Sequence, residues 1–284
     1  MSFLLIGKNG MLGSVFANRE ISLPGEMVCV DIDEMDITNS SNVSEIFSKF
    51  NPECVINCSA YTNVDGAETD KEKCRAVNVD GVKNIAVECD KYGSLLIHYS
   101  TDFVFDGTKK GAYTENDVPN PHCYYGFTKL EGEKAIQANM DTDNYLIIRT
   151  SWLFGPRGVN FVSRIISLAK EKPKLQIVDD QRGNPTYTRD LAKATLSLLE
   201  KSARGIYNVS NSGSCTWYEF ARFALDAYGM KDYPTEKITS DKLNRPAKRP
   251  ANSQLCMDKF KSLCGYETRT WQEVVKEYVH EFLI

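Results

Sequence analysis

The sequence has little histidine, little net charge and no long hydrophobic run. Its 284 residues include three histidines, His98, His122 and His280, which do not cluster and form no Cys/His spacing typical of zinc. The formal net charge of −4 offers no basic field for nucleic acid or an anionic membrane, and the G-x-S-x-G pattern of many hydrolases is missing. We therefore predict no nucleic-acid partner and no membrane partner.

The first apolar run covers only residues 3–6, which is too short for a signal sequence or a membrane span. The nine cysteines are an odd number and include no C-x-x-C pair, unlike the disulfide framework of a secreted protein. We interpret them as reduced thiols, some of them buried as small apolar side chains. The expected location is the cytoplasm.

The first half of the chain alternates short apolar runs with longer helix-like patterns. The apolar runs predict buried strands at 3–6, 27–30, 54–57, 95–99 and 145–149, and the periodic segments predict helices at 11–19, 43–50, 73–92 and 124–138. This alternation predicts an α/β fold, with a Rossmann-like, doubly wound parallel sheet. After about residue 150 the pattern loosens into helices at 161–169, 189–201, 217–228 and 271–282 mixed with short strands.

A glycine turn follows the first predicted strand directly. Gly7, Gly10 and Gly13 are spaced G-x-x-G-x-x-G, which departs from the common G-x-G-x-x-G pattern but has the same strand, turn and helix context. Such glycines let the backbone approach a pyrophosphate. Asp31 ends the second strand, where a carboxylate would accept hydrogen bonds from a ribose and favour NADH, whereas Lys8 suits a ribose phosphate. The choice between NADPH and NADH stays open.

The glycine turn and the change of pattern near residue 150 predict two parts of the chain with different roles. Residues 1–150 are predicted to form a dinucleotide-binding Rossmann domain. Residues 151–284 are predicted to form mainly a smaller C-terminal α/β substrate-binding lobe, with some segments returning to the first domain.

Tyr125 and Lys129 are one helical turn apart and share a helix face. A phenol has an ordinary pKa near ~10, and a neighbouring ammonium favours phenolate, so we expect Lys129 to lower the Tyr125 pKa towards the working range of an acid. A second Tyr-x-x-x-Lys match, Tyr233 with Lys237, contains Pro234 and is interpreted as a chance match.

The fourth strand runs into Thr101 and Asp102 at the edge of the sheet where ligands bind. Thr101 could hold a substrate carbonyl beside Tyr125. Alternatively, both side chains only bond to the backbone of a bend. Because the glycine turn, Thr101 and Tyr125/Lys129 occur in this order, we favour a single catalytic site.

With these motifs, the sequence resembles the dTDP-4-dehydrorhamnose reductase family of extended short-chain dehydrogenases. The resemblance runs almost end to end. The motifs that carry it are the glycine turn, Asp-Ile-Thr at 36–38, the segments 57–65, 100–107, 125–129 and 149–152, Asp-Gln-Arg-Gly-Asn-Pro-Thr at 180–186, and Arg-Pro-Ala-Asn-Ser at 249–253.

The resemblance implies an NADPH- or NADH-dependent enzyme that reduces the C4 keto group of dTDP-4-dehydro-L-rhamnose to dTDP-L-rhamnose. It implies Thr101, Tyr125 and Lys129 as the catalytic set and Asp102 and Trp152 near the sugar. Beside Gly7, Gly13, Tyr125 and Lys129, the cofactor-binding residues it implies are Gly10, Met11, Leu12, Asp31, Asp36, Ile37, Ala60, Tyr61, Thr62 and Tyr99.

The sequence departs from the family pattern in places. Phe103 stands where Tyr is commoner. Some members dimerise through a metal held by glutamates, and Val15 and Arg189 occupy two of those positions, so we predict no metal. A homodimer remains an open alternative.

Substrate binding is also predicted for a Pro-bounded basic loop and for Trp152. Arg249, with Arg245 and Lys248, suits a substrate pyrophosphate in a chain of net charge −4, and Asn252 lies in the same motif. Trp152 follows the fifth strand at the cleft edge and is expected to form a substrate wall, whereas Trp217 is interpreted as a core residue.

Alternatives to this interpretation remain. A sibling 4-ketoreductase could act on a different 6-deoxy sugar, and a regulatory subunit could bind the dinucleotide without catalysis. A 4,6-dehydratase is disfavoured because it needs a second acid/base carboxylate after Thr101, and Phe103 follows Asp102 instead.

Overall fold

The computed structural model describes residues 1–141 and 143–284. The strands are β1 (Ser2–Ile6), β2 (Glu26–Val30), β3 (Cys54–Asn57), β4 (Leu95–Thr101), β5 (Tyr145–Thr150), β6 (Leu153–Phe154), β7 (Leu175–Val178), β8 (Arg182–Gly183), β9 (Thr186–Tyr187), β10 (Gly205–Asn208), β11 (Cys215–Thr216) and β12 (Thr235–Ile238). The helices are α1 (Gly13–Ala17), α2 (Ser40–Phe50), α3 (Lys71–Arg75), α4 (Val82–Tyr92), α5 (Tyr124–Asn139), α6 (Phe161–Glu171), α7 (Thr188–Glu200), α8 (Trp217–Ala227), α9 (Asp258–Cys264) and α10 (Trp271–Phe282).

A six-stranded parallel sheet forms the centre of the molecule, in the order β10-β5-β4-β3-β1-β2. The chain runs from β1 outward to β2 and then crosses to β3 on the other side of β1. The order therefore reverses between β1 and β3, and open α/β sheets bind ligands at the carboxyl ends of the strands beside such a reversal. The Rossmann-like prediction is confirmed.

The predicted strands occur as β1 to β5. The apolar runs of β1, β3, β4 and β5 are buried on both faces of the sheet, whereas the edge strand β2 is only partly buried. The sixth strand, β10, comes from the second half of the chain and was not predicted. The single helix predicted at 73–92 is wrong in its middle, since a π-helical turn, Ala76–Gly81, separates α3 from α4. The short helix α9 was also missed.

Hydrophobic cores lie on both faces of the sheet and in the second half of the chain. One sheet face packs against α1, α7 and α9, with Phe16, Leu198 and Phe260 buried between them. The other packs against α2 and α4. A separate core around Phe154 and Phe220 joins α6, α8 and α10. Segments after residue 150 thus return to the sheet, and the domain boundary at 150 stays a prediction.

The described helices include none that is both long and apolar enough to cross a membrane.

Candidate active site

Thr101 and Tyr125 meet at the carboxyl end of β4. Thr101 is the last residue of β4, and Tyr125 lies in the first turn of α5. The Thr101 hydroxyl lies close enough to the Tyr125 phenol to oppose the rise in the pKa of Tyr125. The ring of Phe103 packs edge-on against Tyr125, with centroids 5.8 Å apart. Thr101 and Tyr125, which the sequence predicts to be catalytic, are therefore neighbours in the folded protein.

Gly126 permits this approach. A Cβ at Gly126 would lie 2.2 Å from the carbonyl oxygen of Phe103, closer than any real side chain tolerates. The first turn of α5 can therefore press against the 3-10 turn Asp102–Val104 only with glycine at this position. That contact sets the position of Tyr125 next to Thr101.

A buried ion pair fixes α5 against the sheet. Arg149 of β5 donates to Glu133 of α5, with Nη2 2.7 Å from Oε2, and Ser100 of β4 donates to the same carboxylate. Both ends of the pair are buried. Breaking one side of such a pair is costly because it leaves an uncompensated charge in the interior. The network holds the strand of Thr101 and the helix of Tyr125 in one arrangement.

The Lys129 ammonium is directed at the sheet. Its Nζ donates to the Tyr99 carbonyl oxygen at 2.7 Å and lies 3.3 Å from Nε2 of His98. Burial lowers the pKa of Lys129 to about 8.

Burial also raises the pKa of Tyr125, and the neighbouring Thr101 hydroxyl only partly opposes this effect. The expectation that Lys129 lowers the Tyr125 pKa is wrong for this state, because the ammonium is engaged by the backbone of β4 and desolvation of the phenol is the larger effect.

Asp102 lies beneath the catalytic pair, with 2% of its surface exposed. Its Oδ1 accepts from the Thr101 hydroxyl at 3.0 Å, and Ser253 lies near enough to oppose the rise in the pKa of the carboxyl. Oδ2 has no partner among the described residues. Burial raises the pKa of Asp102 to about 6. Its placement beside Thr101 agrees with a position at the site, and direct contact with substrate stays a prediction.

The glycine turn forms a cradle that suits a pyrophosphate. A Cβ at Gly13 would lie 2.0 Å from the Gly7 carbonyl oxygen, so Gly13 is required for the turn itself. A Cβ at Gly10 would have only that same oxygen within 4 Å, at 3.3 Å, so the other side of Gly10 is open. Space that a side chain would fill is what a closely bound pyrophosphate needs. Gly7, Gly10 and Gly13 therefore fit a dinucleotide.

Asp31 lies where the adenosine ribose is expected. Its Oδ2 accepts from the backbone N–H of Asn9 at 2.8 Å. Lys8 is paired with Glu34, Nζ to Oε1 2.5 Å. The one cation of the turn is thus already neutralised, which weakens its attraction for a ribose phosphate.

Asn78, which sequence reasoning missed, holds the loop after β3. Its Oδ1 accepts from the N–H of Tyr61 at 2.9 Å, and its Nδ2 donates to the carbonyl of Tyr61 at 3.1 Å. Asn78 belongs to the π-helical turn, a deviation that is frequent at functional sites. It shapes the segment with Ala60, Tyr61 and Thr62, which were predicted to contact cofactor. The sequence signal that could have indicated this residue is an Asn in the middle of a predicted helix.

The remaining predicted cofactor residues differ in what their side chains contact. The Asp36 carboxylate accepts from Thr38. Leu12 and Ile37 are buried, and the Tyr99 hydroxyl bonds Thr195 in the core. Met11 lies next to Gly158, with Cε 3.9 Å from where a Cβ of that glycine would be. For Tyr99 the backbone carbonyl, not the ring, faces Lys129.

Trp152 and Trp217 form one stacked pair, with centroids 3.5 Å apart and planes 9° from parallel. Trp152 has φ 46°, a left-handed conformation that is uncommon for a bulky residue. Both indoles are partly exposed. Trp217, interpreted as a core residue, packs against the core around Phe154 and Phe220, and so does Trp152, so that the two indoles form a single aromatic wall.

The basic loop is arranged differently from the prediction. Arg249 binds Asp65 with both terminal nitrogens, at 2.6 and 2.7 Å, and this guanidinium holds the pKa of Asp65 below its usual range. Arg245 and Lys248 are exposed. The Asn252 amide donates to the carbonyls of Lys109 and Gly111. Arg249 and Asn252 therefore brace loops here, and their contact with substrate stays a prediction.

The second Tyr-x-x-x-Lys match forms no catalytic pair. The Tyr233 hydroxyl donates to the carbonyl of Lys172 at 2.7 Å, and Lys237 pairs with Asp179 at 2.9 Å. Arg189, which stands where some family members have a metal-binding glutamate, forms ion pairs with Glu20 and Glu281.

A parallel doubly wound sheet, a glycine cradle and a Thr/Tyr/Lys site at the reversal of strand order define an extended short-chain dehydrogenase/reductase. The family model described as RmlD substrate binding domain matches residues 1–284. The chain belongs to the dTDP-4-dehydrorhamnose reductase family.

Similar proteins cover the whole chain. A dTDP-4-dehydrorhamnose reductase of Aggregatibacter actinomycetemcomitans is 37% identical over 285 residues, covering 96% of both chains. The crystal structure of a dTDP-4-dehydrorhamnose reductase from Clostridium acetobutylicum is 36% identical, with a TM-score of 0.95 and 100% of both chains covered. A Bacillus anthracis dTDP-4-dehydrorhamnose reductase in complex with NADP is 34% identical, with a TM-score of 0.93 over 99% of each chain.

Proposed function

We propose that this protein uses NADPH or NADH to reduce the C4 keto group of dTDP-4-dehydro-L-rhamnose, giving dTDP-L-rhamnose. The observation that carries the proposal is the placement of Thr101 beside Tyr125 at the carboxyl end of β4, in a sheet whose first strand leads into the glycine cradle. The names of the relatives, which cover the chain end to end, support the choice of substrate.

The proposed chemistry needs a proton donor at one carbonyl oxygen. When bound, the reduced nicotinamide supplies the hydride to C4, and Gly7, Gly10, Gly13 and Asp31 would hold it. Negative charge then develops on the C4 oxygen. Tyr125 delivers its phenolic proton there, because the high pKa of the buried phenol keeps that proton in place until charge appears. Asp102 orients the Thr101 hydroxyl, which lies beside the Tyr125 phenol.

The stacked pair Trp152/Trp217 forms the wall of the proposed sugar site. Flat aromatic faces pack against the apolar face of a sugar ring and exclude water, which strengthens hydrogen bonds at the reacting oxygen. The proposal also includes a cytoplasmic location and a dTDP-linked substrate, with a homodimer as the alternative to a monomer.

Purified protein tests it, with loss of reduced-nicotinamide absorbance as the signal. Turnover of dTDP-4-dehydro-6-deoxy-D-glucose is expected only when an upstream epimerase converts it to the rhamnose configuration, with dTDP-L-rhamnose as product. Turnover without the epimerase would point to a sibling 4-ketoreductase with another product. Cofactor binding with no turnover on either sugar would point to a regulatory subunit.

A further inference from the structure

A row of buried polar side chains runs behind the catalytic residues, from β3 through β4 to α5. Asn57 and His98 are register partners in the sheet, and Nδ2 of Asn57 lies 3.1 Å from Nδ1 of His98. The other ring nitrogen of His98, Nε2, lies 3.3 Å from Nζ of Lys129. The exposed fractions are 1% for Asn57, 0% for His98 and 2% for Lys129. These three residues meet without solvent between them.

The orientation of the Asn57 amide is fixed by Ser59. Oδ1 of Asn57 accepts from the backbone N–H of Ser59 at 3.0 Å and from its hydroxyl at 2.5 Å. A backbone N–H can only donate, so the oxygen of the amide must face Ser59. The NH₂ group of Asn57 therefore faces His98.

This orientation selects one tautomer of His98. Because the Asn57 NH₂ group donates, Nδ1 of His98 must offer its lone pair, and the proton of the neutral ring lies on Nε2. Burial, together with the Lys129 charge, holds the pKa of His98 well below its ordinary value, so the ring is neutral. The Nε2–H bond is directed at Lys129.

An N–H aimed at Lys129 distinguishes its two protonation states. An ammonium has only donors, so it would face the His98 N–H with another N–H. A neutral amine keeps a lone pair for His98 and still donates to the Tyr99 carbonyl. Of the other groups near Lys129, Glu133 on α5 and the Cys74 thiol on α3 favour the ammonium, and burial disfavours it. Tyr125 lies one turn earlier on the same helix.

We propose that His98 is a positioning residue for Lys129, with its Nε2–H tautomer locked by the Asn57 amide and stabilising the neutral amine. The proposal rests on the proposed reductase function. When Tyr125 has given its proton to the substrate oxygen, the Lys129 ammonium returns a proton to the phenolate. The resulting amine accepts a hydrogen bond from His98 until a proton from solvent restores the ammonium.

The tautomer can be measured without any turnover. Protein labelled with ¹⁵N-histidine and saturated with reduced cofactor is examined by long-range ¹H–¹⁵N NMR correlation, which distinguishes Nε2–H from Nδ1–H rings. The exposed residues His122 and His280 are assigned through His122→Phe and His280→Phe, which leaves His98 by elimination. A neutral Nε2–H ring is expected. An Nδ1–H ring or an imidazolium would overturn the proposal, even in an active enzyme.

A pH profile tests the effect on Lys129. In His98→Phe the N–H that disfavours the ammonium is gone, so the alkaline limb of kcat/KM should move upward by about one pH unit, a typical size for such a shift in proteins. His280→Phe, at an exposed position on α10, should leave the limb unchanged. An unmoved limb in an active His98→Phe enzyme would refute the role of His98. If no keto sugar is turned over at all, the proposed function fails, while the NMR result still decides the tautomer.

Discussion

The hydroxyl of Thr101 donates a hydrogen bond to the carboxylate of Asp102, with Oγ1 and Oδ1 3.0 Å apart. The oxygen of the same hydroxyl accepts from the backbone N–H of Phe103 at 3.2 Å. The single proton of Thr101 is therefore directed into the protein and not towards a substrate carbonyl. Asp102 is the residue that orients the Thr101 hydroxyl in this arrangement, and Tyr125 is the proposed proton donor to the substrate.

Replacing Asp102 with Asn should stabilise the protein at neutral and alkaline pH. The folded-state pKa of Asp102 is raised to about 6, whereas an unfolded Asp titrates near ~3.9. The native state therefore holds the proton more tightly. The resulting contribution of Asp102 to the free energy of unfolding is about 3 kcal/mol. It is complete below about pH 4 and is lost as the pH rises through about 6.

Urea unfolding at a series of pH values measures this effect. The free energy of unfolding of the wild type should fall over that range, and that of Asp102→Asn should fall less. Asp33→Asn, at an exposed position after β2, serves as the control and should follow the wild type. Parallel curves for wild type and Asp102→Asn would show that Asp102 is not a buried, destabilised carboxylate.

Replacing Tyr125 with Phe should lower kcat by ~10²–10⁴-fold, the usual contribution of a general acid. Only the phenolic oxygen is lost, so cofactor affinity and thermal stability should stay close to wild type. Tyr233→Phe is the matched control, because among the described residues the Tyr233 hydroxyl bonds only the carbonyl of Lys172, in the second half of the chain. Near-normal turnover of Tyr125→Phe at saturating substrate would rule Tyr125 out as the acid.

Two glycines of the same turn should behave differently. Gly10→Val places its side chain in the open cradle, so cofactor binding should be lost by steric exclusion while the melting temperature changes little. Gly13→Ala places a Cβ 2.0 Å from the Gly7 carbonyl, so the turn itself should be disrupted and the melting temperature should fall. Fluorescence titration with NADH and a thermal melt distinguish them. Normal NADH affinity in Gly10→Val would refute the proposed cofactor position.

Cofactor preference should depend on the charges around Lys8. In Asp31→Ala a carboxylate that repels a 2′-phosphate is removed, and in Glu34→Gln the Lys8 ammonium is released from its ion pair. Both changes should raise the ratio of kcat/KM for NADPH to that for NADH. Asp33→Asn removes an exposed carboxylate from the same loop and is the control. Equal ratios in wild type, Asp31→Ala and Glu34→Gln would exclude this account of selectivity.

Much of the fold and part of the candidate site could be read from local patterns. The strands β1 to β5 are apolar runs, the cradle is three glycines in register with a strand and a helix, and Tyr125 with Lys129 is a one-turn spacing. Each of these signals lies within a few residues of chain. The π-helical turn at Ala76–Gly81 breaks an otherwise helical pattern, and within it Asn78 hydrogen-bonds the distant backbone of Tyr61.

Composition, periodicity and short motifs therefore sufficed for the class of fold and the position of the glycine turn, and they led to Tyr125 as the proposed proton donor. Side-chain partners required the folded chain, because burial brings together groups that are far apart in sequence. Arg249 pairs with Asp65 across 184 positions, and Trp152 stacks on Trp217. The protonation of Lys129 likewise depends on His98 and the Tyr99 carbonyl. Desolvation and the partners of a buried charged group set its pKa, and no local sequence pattern indicates either of them.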